Sequence, residues 1–174
     1  MAFHKSMKTI KGLIAIGGLT LALTFAVTAQ VDLASLDGSR VGVESHRGKV
    51  VVLAVGASWL PLSGSQADFT NKLAAKYAGK DVVFYFVATD SATPRSKNFA
   101  SNDDLRRFST ANKLSIPLLR DPDGAATLKR YNIDQVPSFV ILDKSGTSIG
   151  EPFGGIDPKY DITIPLSRAI DKAL

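Results

Sequence analysis

The 174-residue sequence contains no cysteine. That absence excludes disulfide bridges, thiolate nucleophiles and a lipid-modified cysteine behind an N-terminal apolar run. Histidine is nearly missing as well: His4 and His46 are the only two, so a histidine-rich metal site has no ligands to draw on. A Ser-His-Asp arrangement would depend on His46 alone; Ser58, Ser63 and Ser65 cluster downstream, but serine at a helix entrance is explained by capping. No glycine-rich phosphate loop, internal repeat or low-complexity tract is present. With 45% hydrophobic and 21% charged residues, the composition excludes wholesale disorder and a collagen-like chain.

Charge is unevenly spread. Lys5, Lys8 and Lys11 precede an apolar run without a single acid, and the rest of the chain is nearly balanced, so the net +5 gives no case for nucleic acid. The pairs Arg106-Arg107 and Lys129-Arg130 read as solvated helix faces. Residues 1–29 read as an export signal: three lysines, an apolar stretch from Gly12 to Phe25, and small residues at Val27-Thr28-Ala29 before Gln30. The rival reading is an uncleaved membrane anchor, since Gly12 to Ala29 falls just short of the roughly 20 residues that cross a bilayer. Either reading places residues 30–174 in the periplasm or another extracytoplasmic compartment, with membrane contact only if the segment is kept. Those residues suffice for one domain, burying about 70% of the unfolded surface.

Asp37-Gly38 between Val31–Leu33 and Arg40–Val43 predicts an N-terminal hairpin. The unbroken run Lys49–Ala57 predicts a strand covered on both faces, and Asp81–Ala88 a second. Between them Phe69, Leu73 and Tyr77 fall at helical spacing, with Ser65 and Asp68 as a capping-box-like start and Gly79 as the stop. A polar loop spans 90–99, followed by a helix over 102–112 with Leu105 and Phe108 inward. Asp121-Pro-Asp123-Gly124 reads as a turn rather than a calcium loop, because the closing glutamate is missing. A short helix over 125–131, strands over 138–143 and 148–153 and a last helix from about Pro165 to Ala173 complete the order. Alternating strands and helices closing on a hairpin predict an α/β sandwich with a mixed sheet.

Four segments carry a resemblance: Leu36-Asp-Gly38; Gly48-Lys-Val-Val-Val-Leu53 leading into Ala57-Ser-Trp59; Ile116-Pro-Leu-Leu-Arg-Asp-Pro-Asp-Gly124; and Tyr131-Asn-Ile-Asp-Gln-Val-Pro-Ser-Phe-Val-Ile-Leu-Asp143. In this order the chain resembles the thioredoxin-like redoxins, which include the alkyl hydroperoxide reductase/thiol-specific antioxidant group and exported thiol-disulfide oxidoreductases. The resemblance implies a thioredoxin-like fold: a mixed central sheet with helices on both faces, an N-terminal hairpin and a cis Val136–Pro137 bond. It also implies the site, since in the family the tryptophan after the first buried strand precedes Cys-Pro-x-Cys. Here Trp59 precedes Leu60-Pro61-Leu62-Ser63, with Leu60 and Ser63 at the cysteine positions.

Without a thiolate there is neither disulfide exchange nor a sulfenic acid, so neither family reaction can run on this chain alone. The expected role is a non-catalytic protein- or peptide-binding or accessory module, without cofactor or metal. Contact falls on Trp59, Leu60, Leu62, Val136 and Pro137, with Val136 offering its backbone to an extended partner. The alternative is an oxidoreductase component acting beside a cysteine-bearing partner.

Overall fold

The computed structural model describes Met1, residues 30–157 and residues 159–174; the expected signal or anchor, residues 1–29, lies almost wholly outside the described residues. Seven strands form one sheet: β1 (Asp32–Ser35), β2 (Arg40–Gly42), β3 (Val50–Gly56), β4 (Val82–Ala88), β5 (Leu118–Arg120), β6 (Ser138–Leu142) and β7 (Phe153–Gly154). Their order across the sheet is β2-β1-β5-β4-β3-β6-β7. β3 runs parallel to β4 and antiparallel to β6, and β4 runs parallel to β5, so the sheet is mixed. Every residue of β3 is buried, as a valine-rich run without alternation requires.

Alternate β3 side chains feed two cores. Val50, Val52 and Ala54 pack with α1 (Ser63–Lys76), α2 (Asn102–Ala111) and α4 (Thr163–Ala173) through Leu73, Leu105, Leu166 and Ile170. Val51, Leu53 and Val55 face the other way, toward Val31, Val43, Leu119 and Tyr131 beside the short α3 (Thr127–Arg130). Helices thus flank both faces, three on one and a single turn on the other, giving the α/β thioredoxin-like fold.

Several expected boundaries move. β5 has no counterpart in the pattern reading: three residues behind Pro117 are too short for a periodic signal, yet they join β1 to β4. The strand expected over 148–153 shrinks to β7, with Ser148 holding only an isolated bridge to Leu142. The Ser65/Asp68 capping box does not form. α1 begins two residues earlier, at Ser63, and Asp68 instead pairs with Lys72 one turn on, at 2.8 Å. The capping box sits at α2, where the Ser101 hydroxyl accepts the Asp104 N–H at 3.1 Å and the Asp104 carboxylate accepts the Ser101 N–H at 2.8 Å. α3 covers four residues rather than the expected seven. Its entrance is held by Asp121, whose buried carboxylate accepts the N–H groups of Ala126 and Thr127 and the Thr127 hydroxyl. That confirms a structural turn at 121–124. Pro165 falls in the first turn of α4, which starts at Thr163.

Candidate functional site

Two chain segments expected to form the site meet at one end of the sheet. The Trp59–Ser63 loop leaves the C-terminal end of β3, and Val136–Pro137 enters β6, whose first residue Ser138 is paired with Val55. The Val136–Pro137 bond is cis. Pro137 is buried and Val136 half-buried.

The loop folds in two tight steps, the Leu60 N–H donating to Ala57 O and the Ser63 N–H to Leu60 O, both at 3.1 Å. That geometry turns Trp59 outward, 51% exposed. Pro61 is exposed beside it, whereas Leu60 and Leu62 are half-buried and Leu62 packs on the α1 core. The apolar surface is therefore narrower than the sequence suggests, with Trp59 and Pro61 at its summit.

Ser58, Ser63 and the nearby Gln66 are all engaged in structure. Ser63 is completely buried and its hydroxyl donates to the Ala57 carbonyl at 2.5 Å, which leaves it no role as a nucleophile. The Ser58 hydroxyl and N–H both donate to the carboxylate of Asp90, itself fully buried at the end of β4. Gln66, fully buried on α1, donates through Nε2 to the carbonyls of Val55 (3.1 Å) and Ser138 (2.9 Å), tying the ends of β3 and β6 together. Its Oε1 has no partner among the described residues and rests over Gly56, where a Cβ would stand 2.3 Å from that oxygen. Glycine at 56 is thus required by close approach.

Asp90 and Gln66 were not foreseen as site residues. The signal for Gln66 was present: residues 62, 66, 69, 73 and 77 lie on one helical stripe, and a polar residue on an inward stripe needs a buried partner. Nothing local marks Asp90, whose partner is 32 positions away.

In contrast to these engaged side chains, the backbone of Val136 is free. Neither its N–H nor its carbonyl has a hydrogen-bond partner among the described residues. An exposed aromatic and an unpaired backbone residue thus stand at the same end of the sheet.

His46 lies elsewhere, its Nε2 2.9 Å from the Tyr85 hydroxyl, with burial and the nearby Lys49 charge lowering its pKa below the usual histidine value. It meets none of Ser58, Ser63 or Ser65, so a serine triad is not assembled.

Among solved structures the chain is similar to MTB dsbF, at 22% identity over 83% of this chain and 96% of that one, with a TM-score of 0.64. It is likewise similar to the exposed lipoprotein thioredoxin Etrx1 of Streptococcus pneumoniae (24% identity, 83% and 99% covered, TM-score 0.64). A third likeness is to a secreted Mycobacterium tuberculosis disulfide oxidoreductase homologous to E. coli DsbE (25% identity, 82% and 96% covered, TM-score 0.60). No curated protein matches the chain. The family model for Redoxin matches residues 20–156, most of the sequence and both segments of the site, and the chain belongs to that family.

Proposed function

We propose that this chain is an exported redoxin that has left thiol chemistry and works as a non-catalytic binding or accessory module. Its contact surface is Trp59, Leu60, Leu62 and Val136, with the expected Pro137 buried beneath it, and its ligand is an extended stretch of protein or peptide. The observation that carries the reading is the unpaired Val136 backbone at the same end of the sheet as an exposed Trp59. Backbone groups of this kind accept a partner chain by strand addition, while an aromatic neighbour supplies apolar contact. The absence of cysteine and the burial of Ser63 remove the competing chemical roles of the same loop.

Export is part of the same reading and rests on the lysine-led apolar sequence of residues 1–29. Family membership favours one second reading, an accessory role beside a cysteine-bearing redoxin, which would use this same surface.

Amide NMR tests the reading directly. Titration with extended apolar peptides is expected to move the Val136 N–H and the Trp59 indole N–H first, and Trp59→Ala to weaken binding at least about tenfold. Binding that moves neither signal, or that is indifferent to Trp59→Ala, disproves it.

A further inference from the structure

The register of the sheet fixes where the chain enters the domain. Ala34 is paired with Arg120, Arg120 with Ala88, and Ala88 with Gly56, so these four residues stand in one row across four strands. Trp59 lies three positions beyond that row on β3. Gln30 lies four positions before it on β1, which runs the opposite way. Both therefore leave the sheet at the same end, with three strand spacings, about 14 Å, between β1 and β3. Val31 is already buried and its carbonyl accepts the Val43 N–H at 3.1 Å. Only Gln30 separates the packed domain from the lysine-led apolar sequence that ends at Ala29.

The same end carries two exposed aromatics, Trp59 at 51% and Phe99 at 39%. Phe99 closes the loop that follows β4, bridged to Ser91, and the loop exposes Arg95 and Lys97. Neither cation has a hydrogen-bond or ion-pair partner among the described residues. In the strand order this loop emerges between β1 and β3, hence between Gln30 and Trp59. Of the exposed acids, Asp134 and Asp157 belong to the β6–β7 side, beyond Trp59; Asp123 accepts the Ser91 hydroxyl at 3.3 Å, Asp103 is paired with Arg106, and Asp32, two residues after Gln30, shares its surface with Arg40 and Lys129. Aromatic and basic groups thus cluster on the side where the chain enters.

We propose that this end of the sheet rests on an anionic membrane surface, with Trp59 and Phe99 at headgroup depth and Arg95 and Lys97 against lipid phosphates. Tryptophan at that depth satisfies both its apolar ring and its N–H, and cations near an anionic leaflet are drawn toward it. The occupant is an anionic bilayer: read as an uncleaved anchor, the apolar sequence 12–29 enters it, and Gln30 alone as a tether leaves the domain little freedom to turn away. The inference rests on reading residues 1–29 as the uncleaved anchor rather than as a removed export signal, and it sets the peptide contact of Val136 at the outer rim of a membrane-facing surface.

Trp59 is the only tryptophan, so its fluorescence reports the contact without labelling. The full chain is reconstituted in vesicles of phosphatidylcholine with roughly one quarter phosphatidylglycerol, and in phosphatidylcholine alone. In the anionic vesicles the emission is expected to shift to the blue, to be quenched by brominated lipid, and to lose at least about half its acrylamide quenching. Arg95→Ala with Lys97→Ala, or raised salt, is expected to reverse most of the change. Emission that stays that of a solvent-exposed indole in anionic vesicles overturns the proposal. So does a shift that is equal in phosphatidylcholine alone and indifferent to the two substitutions. Adding an extended apolar peptide to the same vesicles separates the two ideas: a response to peptide but not to lipid ends the membrane proposal and leaves the peptide reading standing.

Discussion

The two ends of the sheet treat their polar groups in opposite ways. At the Trp59 end, side-chain polarity is turned inward on the backbone. Ser63 holds the Ala57 carbonyl and Gln66 those of Val55 and Ser138, while Ser58 reaches inward to the buried Asp90 carboxylate, so the surface over the ends of β3 and β6 keeps an aromatic ring and the unpaired Val136 backbone. At the far end, where the turn 143–147 meets the segment 43–48, side chains pair with one another. Glu44 Oε1 accepts both the Arg130 Nε–H at 2.9 Å and the Tyr131 hydroxyl at 3.0 Å, Arg47 donates to the Ser145 carbonyl, and His46 meets Tyr85. Burial, with the Glu44 charge beside it, holds the Tyr131 phenol far above its ordinary range, so it serves only as a neutral hydrogen-bond donor. Ionisable side chains stitch the far end together, whereas around the ends of β3 and β6, where the family's chemistry would stand, the polarity left uncommitted is that of the Val136 backbone.

The largest test of this contrast is Gln66→Ala. It empties a fully buried position and strands two strand-end carbonyls, so a loss of about 2–4 kcal/mol in unfolding free energy is expected from urea titration. A loss near zero would show that the amide does not fasten β3 to β6. Glu44→Ala at the opposite end leaves the Tyr131 hydroxyl buried without its acceptor, and about 1–3 kcal/mol is the expected loss. Trp59→Ala should leave stability within about 0.5 kcal/mol, as an exposed ring that supports nothing beneath it, even though it is expected to weaken peptide binding at least about tenfold. A large destabilisation there would return Trp59 to a structural role and collapse the distinction between the two ends.

The smallest effect concerns acidity. Because the folded pKa of His46 lies below the unfolded value near 6.5, the unfolded chain takes up the proton first. The contribution of His46 is complete above that value and declines as pH falls through it toward the folded pKa. Urea midpoints of the native chain and His46→Gln, compared at about pH 7.5 and about pH 5.5, are expected to converge at the lower pH. Parallel midpoints would place the pH response elsewhere.

Much of this was legible in the residues themselves. The valine run of β3, the Phe69-Leu73-Tyr77 stripe of α1 and the Asp37-Gly38 turn are local patterns, and each produced its element. The site segments were placed by the family resemblance rather than by any local pattern, and the sheet register brought Trp59 and Val136 to one end. What stayed illegible was long-range. β5 exists because Leu118–Arg120 finds β1 on one side and β4 on the other, information that no window around Pro117 contains. The capping box was likewise expected at the wrong helix: it forms at Ser101 of α2, while α1 starts at buried Ser63 without a side-chain cap.

Gly56 and Gln66 carry a consequence for inheritance. Any side chain at 56 collides with the amide oxygen at 66, and that amide is pinned by two carbonyls, so it cannot swing aside. The two positions therefore form an ordered mutational path. A lineage that first exchanges Gln66 for a smaller residue opens 56 to alanine, whereas one that meets alanine at 56 first must break the β3–β6 fastening to survive. Among descendants of this sequence, glycine at 56 is expected to persist wherever glutamine does.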